Sequence, residues 1–169
     1  MIQTPKERTY SFESALIEPA HLLEMSGLEI LERIRDGALP LAALGYTLGF
    51  RLVEVERGRA VVESGPEPYV RNMFGAAHGG YAASLLDSAM GYSICSMMER
   101  GWGYTTVELS IRYQRWIETD GGPLRTEGRV LHAGRRTATA EGSVIDAKGR
   151  LCAHGTTTCL VFPVRQAGG

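Results

Sequence analysis

The sequence predicts an α+β fold in which one long helix packs against one antiparallel sheet. Two observations carry this. The stretch "YAASLLDSAMGYSICSMM", from Tyr81 to Met98, is apolar enough for a buried helix. From Thr105 onward the hydrophobic period falls to two, with Val107, Leu109, Ile111 and Tyr113 on one face and Glu108, Ser110, Arg112 and Gln114 on the other. A chain of 169 residues can bury one sizeable core, so one domain with a short N-terminal appendage is expected.

In chain order, the opening "MIQTPKERTYSFESALIEP" mixes charges and lacks an apolar h-region, so no signal peptide is predicted and a cytoplasmic location is expected. Ser26 and Glu29 fit a capping box that starts a helix. That helix carries Leu28, Leu31 and Ile34 inward and stops at "DGALP", where Gly37 can turn left-handed and Pro40 forbids continuation. "FRLVEVERGRAVVES" alternates valines with charges about Arg57 and Gly58 and reads as a hairpin. A loop rich in Pro and Gly follows, from Gly65 to Gly75, and then the long helix. "GWGY", from Gly101, reads as a loop whose Trp packs over apolar surface. After the Thr105 strand, "GPLRTEGRVLH", "RRTATAEGSVID" and "RLCAHGTTTCLVF" are separated by Gly-rich turns and complete a four-strand meander. The closing "RQAGG" reads as a loose tail.

A formal net charge of -1 without a basic block argues against nucleic acid and anionic membrane as partners. The Tyr81–Met98 run approaches membrane-spanning length, but Asp87, Gly91 and several serines make it a buried helix. The three cysteines form no C-x-x-C pair, and the four histidines lack metal-ligand spacing, so neither a disulfide framework nor a metal or other cofactor is expected. His132 and His154 fall in strand patterns and read as structural.

Asp87 is the one acid in the long helix. Its neighbours at helical spacing, Ala83, Ser84, Met90 and Gly91, form a small, weakly polar face better suited to close approach by a ligand or another chain than to bulk water. Burying an unpaired carboxylate is costly, which favours a cleft where it is used. His78, Gly79 and Gly80 lie where the helix begins, and their outward-pointing N–H groups can hold an oxyanion. At about 1.5 Å rise per residue, Gly79 and Asp87 stand roughly 12 Å apart along one axis, so they act on one carbonyl only if two subunits share the site across a two-fold axis.

These residues resemble the hotdog-fold acyl-CoA thioesterases of the phenylacetate-degradation type. The family pattern is an Asn, a Gly, His-Gly-Gly and an Asp nine positions past the His, matched here by Asn72, Gly75, His78, Gly79, Gly80 and Asp87. The resemblance runs from about Leu44 to Phe162. It implies a long central helix wrapped by a six-strand antiparallel sheet, with a helical extension over 1–43, the hotdog domain over 44–163 and a tail over 164–169. It also implies a homo-oligomer, a dimer or dimer of dimers, that hydrolyses a small aromatic or medium-chain acyl-CoA. Gly79 would donate its N–H to the thioester oxygen, and Asp87 would act as general base or nucleophile. Asn72 would orient water or carbonyl, and His78 would brace the loop or polarise the carbonyl. Gly80 and the turn holding Gly134, Arg135 and Arg136 would contact CoA, the arginines through its phosphates. Another subgroup carries a threonine one turn after the acid, where this sequence has Gly91. Two rival readings are an acyl-CoA hydratase or dehydratase and an acyl-CoA-binding sensor or scaffold. The Asn-to-His-to-Asp spacing disfavours the first, and the lack of a basic recognition helix the second.

Overall fold

The computed structural model describes residues 7–12 and 19–164. Helix α1 (Pro19–Glu24) starts on a proline, whose fixed φ suits a first helical turn. Helix α2 (Gly27–Arg35) carries the capping box: Glu29 N–H donates to Ser26 Oγ (3.3 Å) and Ser26 N–H donates to the Glu29 carboxylate (2.7 Å). Its buried side is Ile30 and Leu31, with Leu28 and Ile34 half-buried, and Gly37 follows at φ 77. Helix α3 (Ala43–Leu48) leads into β1 (Phe50–Glu56), which turns at Arg57 and Gly58 into β2 (Arg59–Ser64).

After a 3-10 turn at Pro68–Val70 comes α4 (Gly79–Cys95), then β3 (Trp102–Tyr113), β4 (Leu124–Ala133), β5 (Thr137–Ile145) and β6 (Leu151–Pro163). The six strands make one antiparallel sheet in the order β1-β2-β4-β5-β6-β3. Helix α4 lies on its inner face, burying Leu85, Leu86, Ala89 and Met90 completely. A six-strand sheet around a central helix is the hotdog arrangement.

How close α4 lies is fixed by glycine. A Cβ on Gly128 of β4 would stand 2.4 Å from the Ala89 carbonyl oxygen, so helix and strand meet backbone to backbone. Helix α2 is seated the same way on the other end of α4. Gly27 N–H donates to Met98 O (3.0 Å), and a Cβ there would stand 1.8 Å from Cys95 O.

Three local expectations are corrected. "GWGY" is not a loop: β3 begins at Trp102 and pairs with Pro163 of β6, and only Gly101, at φ 78, turns. The helix stops at Cys95 instead of running to Met98, since Ser96 and Met97 N–H groups close the last turn on Tyr92 and Ile94 carbonyls. A register shift between Thr106 and Glu108 makes Val107 the extra residue of a bulge, 53% exposed, while Leu109 and Ile111 keep the inward face. Residues 165–169, read as a tail, lie outside the described residues. Among the described residues no helix is long and apolar enough to cross a membrane.

Gly128→Ala should cost about 2 kcal/mol or more, because the added methyl meets fixed backbone on a buried helix. Gly65→Ala, which has nothing within 4 Å and no positive φ, should be neutral or stabilise by up to about 1 kcal/mol. Paired chemical denaturation curves measure both.

Candidate active site

The loop before α4 is held on three sides. Ala77 N–H donates to Ile117 O (2.9 Å), His78 N–H to Val70 O (2.7 Å), and Arg71 bridges to Ala77. His78 is the N-cap of α4, in extended conformation, and its Nδ1 accepts the Gly80 N–H (2.9 Å). Gly80's donor is therefore used inside the cap. Gly79 N–H, the first of the helix, has no acceptor among the described residues, so one outward donor remains where the sequence suggested two. Tyr113, from the far end of β3, packs its ring on Gly79 and donates to Gly79 O (3.1 Å).

Asn72 builds the same loop. Its Oδ1 accepts Phe74 N–H (2.8 Å) and its own N–H donates to Ala76 O (2.7 Å), which leaves the side-chain NH2 as its available group. Gly75 turns the loop at φ 90, and Met73 and Phe74 stand 90% and 73% exposed at its tip.

Asp87 lies two turns into α4 and is half-buried. It faces β3, where Thr106 Oγ1 donates to Asp87 Oδ1 (3.0 Å) and also lies 3.8 Å from Cys159 Sγ. One turn further, Gly91 leaves room for Tyr104, whose hydroxyl would be 2.9 Å from a Cβ at 91. Tyr104 and Thr106 alternate onto α4 just before the bulge, so the irregularity directly follows the residue that holds the acid. Thr106 and Tyr104 were not singled out from sequence. The signal available was the missing hydroxyl at 91, which leaves the acid's partner to come from another element.

The surroundings of Asp87 are neutral. Burial pushes the Tyr104 phenol well above its ordinary range, with Cys95, Tyr92, Cys159 and Asp87 adding to the effect. Burial also raises the Cys159 thiol, while hydrogen bonding to Thr106 and Thr157 pulls it back in part. Tyr92 and Cys95, further along α4, are each pushed up to about 12 by burial.

Gly79 and Asp87 belong to one unbroken helix and stand roughly 12 Å apart along it. The line Ala83, Ser84, Asp87 and Ser88 is the part of α4 left half-open, and it borders β3, a 12-residue edge strand. The turn holding Gly134, Arg135 and Arg136 lies at the same end of the sheet as Thr106: Ala138 pairs with Cys159, and Cys159 with Thr106. Both arginines are exposed and neither makes an ion pair among the described residues. His132 and His154 are exposed on the outside of their strands, so neither packs as a core histidine. A cleft of about 560 Å³ opens at the start of α4, lined by Tyr69, Arg71, His78, Tyr81 and Ser84. A larger one of about 870 Å³, at Phe50, Ser64 and Thr119, touches no residue of the Asn72-to-Asp87 pattern.

Residues 74–153 match the family model described as thioesterase superfamily. The chain is 31% identical over 105 residues to the proofreading thioesterase EntH of Klebsiella pneumoniae, covering 62% of this chain and 75% of that one. Among solved structures it resembles a Streptococcus mutans protein bound to acetyl-CoA (29% identity, TM-score 0.63, 70% of this chain and 92% of that one). It also resembles a phenylacetic acid degradation-related protein of Ralstonia eutropha (25% identity, TM-score 0.71, 77% and 98%).

All three thiols should be slow toward Ellman's reagent in the folded protein. At pH 8 a thiol with a pKa of about 12 is ionised to only about one part in ten thousand. Cys152 and Cys159 are buried and also raised, and what surface Cys95 keeps opens beneath α2. Rapid labelling before guanidinium is added would contradict this packing.

Proposed function

The chain belongs to the thioesterase superfamily, and on that premise we propose that it hydrolyses acyl-CoA to a carboxylic acid and free CoA at a site shared by two protomers. The observation that carries this is the placement of Asp87: half-buried, held at one oxygen by Thr106, and directed to the open side of α4 beside an unpaired strand edge. A long unpaired edge invites pairing with another strand. Pairing β3 with its two-fold mate brings the start of one α4 toward the middle of the other, so Gly79 of one protomer and Asp87 of the other reach a single carbonyl.

Thr106 fixes Oδ1, which leaves Oδ2 to accept a hydrogen bond from water. Asp87 takes a proton as that water's oxygen bonds to the thioester carbon. The Gly79 N–H, backed by the positive end of α4, stabilises the oxyanion that forms. Collapse of the tetrahedral species breaks the C–S bond, and the sulfur leaves with the proton returned from Asp87. No charged group competes with Asp87 for the water, because the nearby Tyr104 and Cys159 are held neutral. His78 braces the donor loop and Asn72 offers its NH2 to the carbonyl or water. Arg135 and Arg136, free of ion pairs and level with Thr106, suit the CoA phosphates.

Asp87→Asn should lower turnover by roughly 100-fold or more while the protein stays folded and assembled. Thr106→Val should lower kcat by roughly tenfold with little change in KM, since it alters only how the base is held. A single turnover in H2(18)O should place the label in the product acid and none in Asp87. Wild-type hydrolysis by Asp87→Asn, or labelled Asp87, would refute the general-base assignment.

The shared site requires at least a dimer. Light scattering should report one, and Val107→Pro, placed in the free edge, should weaken assembly and activity together. A fully active monomer would rule out sharing.

A further inference from the structure

Beneath α2 lies a second apolar space, of about 270 Å³, that the hydrolytic chemistry does not use. Its walls include Met25 and Ile30 from the α2 side, Tyr92 from α4, Trp102 and Tyr104 from β3, and Phe162 from β6. No charged side chain lines it. Its hydroxyl and thiol groups, on Tyr92, Tyr104 and Cys95, are all held neutral by burial. Such a lining offers water few partners, and even a dry apolar cavity of about 150 Å³ takes up benzene.

The chamber is joined to the acid through Tyr104. That side chain both lines the chamber and lies against Gly91, one turn past Asp87. A side chain at 91 would collide with its hydroxyl, so glycine keeps the approach along α4 open. From Asp87 to Cys95 is eight residues, or about 12 Å of helix, comparable with an extended acyl chain of about eight carbons. The outer wall is firmly placed, because the backbone contact of Gly27 with Cys95 and Met98 pins α2 over the end of α4.

We propose that this chamber receives the acyl group, with α2 as the wall that limits its length, so that the enzyme selects uncharged aryl or medium-chain acyl groups. This rests on the thioesterase reading of Asp87. The thioester carbonyl sits at the acid, and the acyl tail runs past Gly91 and Tyr104 toward Trp102. A terminal carboxylate would lose its hydration there without gaining a cation, and a long fatty chain exceeds the space.

The test is free-thiol release from butyryl-, octanoyl-, dodecanoyl-, palmitoyl-, phenylacetyl- and succinyl-CoA. For the wild type, kcat/KM should be at least tenfold higher for octanoyl- and phenylacetyl-CoA than for palmitoyl- and succinyl-CoA. Met25→Trp fills the chamber and should lower the octanoyl-to-butyryl ratio by roughly tenfold. Trp102→Ala enlarges it and should raise the dodecanoyl-to-octanoyl ratio by a similar factor, since single methylenes in an apolar pocket change rates by roughly 10-fold or more. The two variants shift the profile in opposite directions, which general loss of stability cannot do. If the wild type cleaves acyl-CoA but neither variant moves its profile, the chamber assignment is overturned and the hydrolytic reading stands. If no ester in the panel is cleaved, both fall.

Discussion

Helix α4 meets β4 with no side chain between them: the position of a Cβ on Gly128 is already within 2.4 Å of a helix carbonyl. Most other features follow from that contact. A helix lying so low on a curled sheet is covered by strands on most of its circumference, which is why Leu85, Leu86, Ala89, Met90 and Ile94 are completely buried. The one strip not covered is where the sheet ends, at β3. Any polar residue on α4 must fall on that strip or go without a partner, and Asp87 falls there.

The acid is retained by two unequal provisions. Thr106 satisfies one carboxylate oxygen from the adjacent strand, and the other oxygen faces the open edge. A full complement of donors would make the carboxylate a weaker base, whereas none would make it too costly to bury. The neighbouring phenol and thiol keep their protons, so the negative charge of Asp87 is not shared with a second ion. In a half-buried site of reduced polarity, a single well-placed hydroxyl therefore has more influence on the carboxylate than it would in water.

The sequence was most informative where structure is local. The capping box at Ser26 and Glu29, the hairpin about Gly58 and the Asn72-to-Asp87 spacing each depend on residues a few positions apart, and the folded chain contains the capping box and the hairpin as read. Contacts between distant segments were not legible. Alternation over 107–113 gives no hint of a bulge, because one extra residue changes the face of what precedes it and leaves the downstream pattern intact. That same shift hid Thr106 and Tyr104 as residues directed at the helix. "GWGY" looked like a loop because its glycines suggest turning, yet Gly103 is paired in β3 opposite Phe162, whose ring lies within 3.2 Å of its Cβ position. The donor count at Gly79 and Gly80 depended on a His78 rotamer, which spacing does not encode.

Along its 17 residues, α4 changes character in order. It starts with a free N–H at Gly79, reaches the acid after two turns, and finishes between tyrosines and under α2. An oxyanion donor and a base on the same rigid rod are too far apart to cooperate, and no side-chain rotation closes roughly 12 Å. Antiparallel pairing of two such rods removes the difficulty without moving any residue. The start of one helix comes opposite the acid of the other, and each acid keeps its own apolar half-helix behind it. The spacing that makes a single chain incomplete is thus the spacing that lets two copies form two equivalent sites, with water activation supplied by the chain that holds the acyl tail and charge stabilisation by its mate.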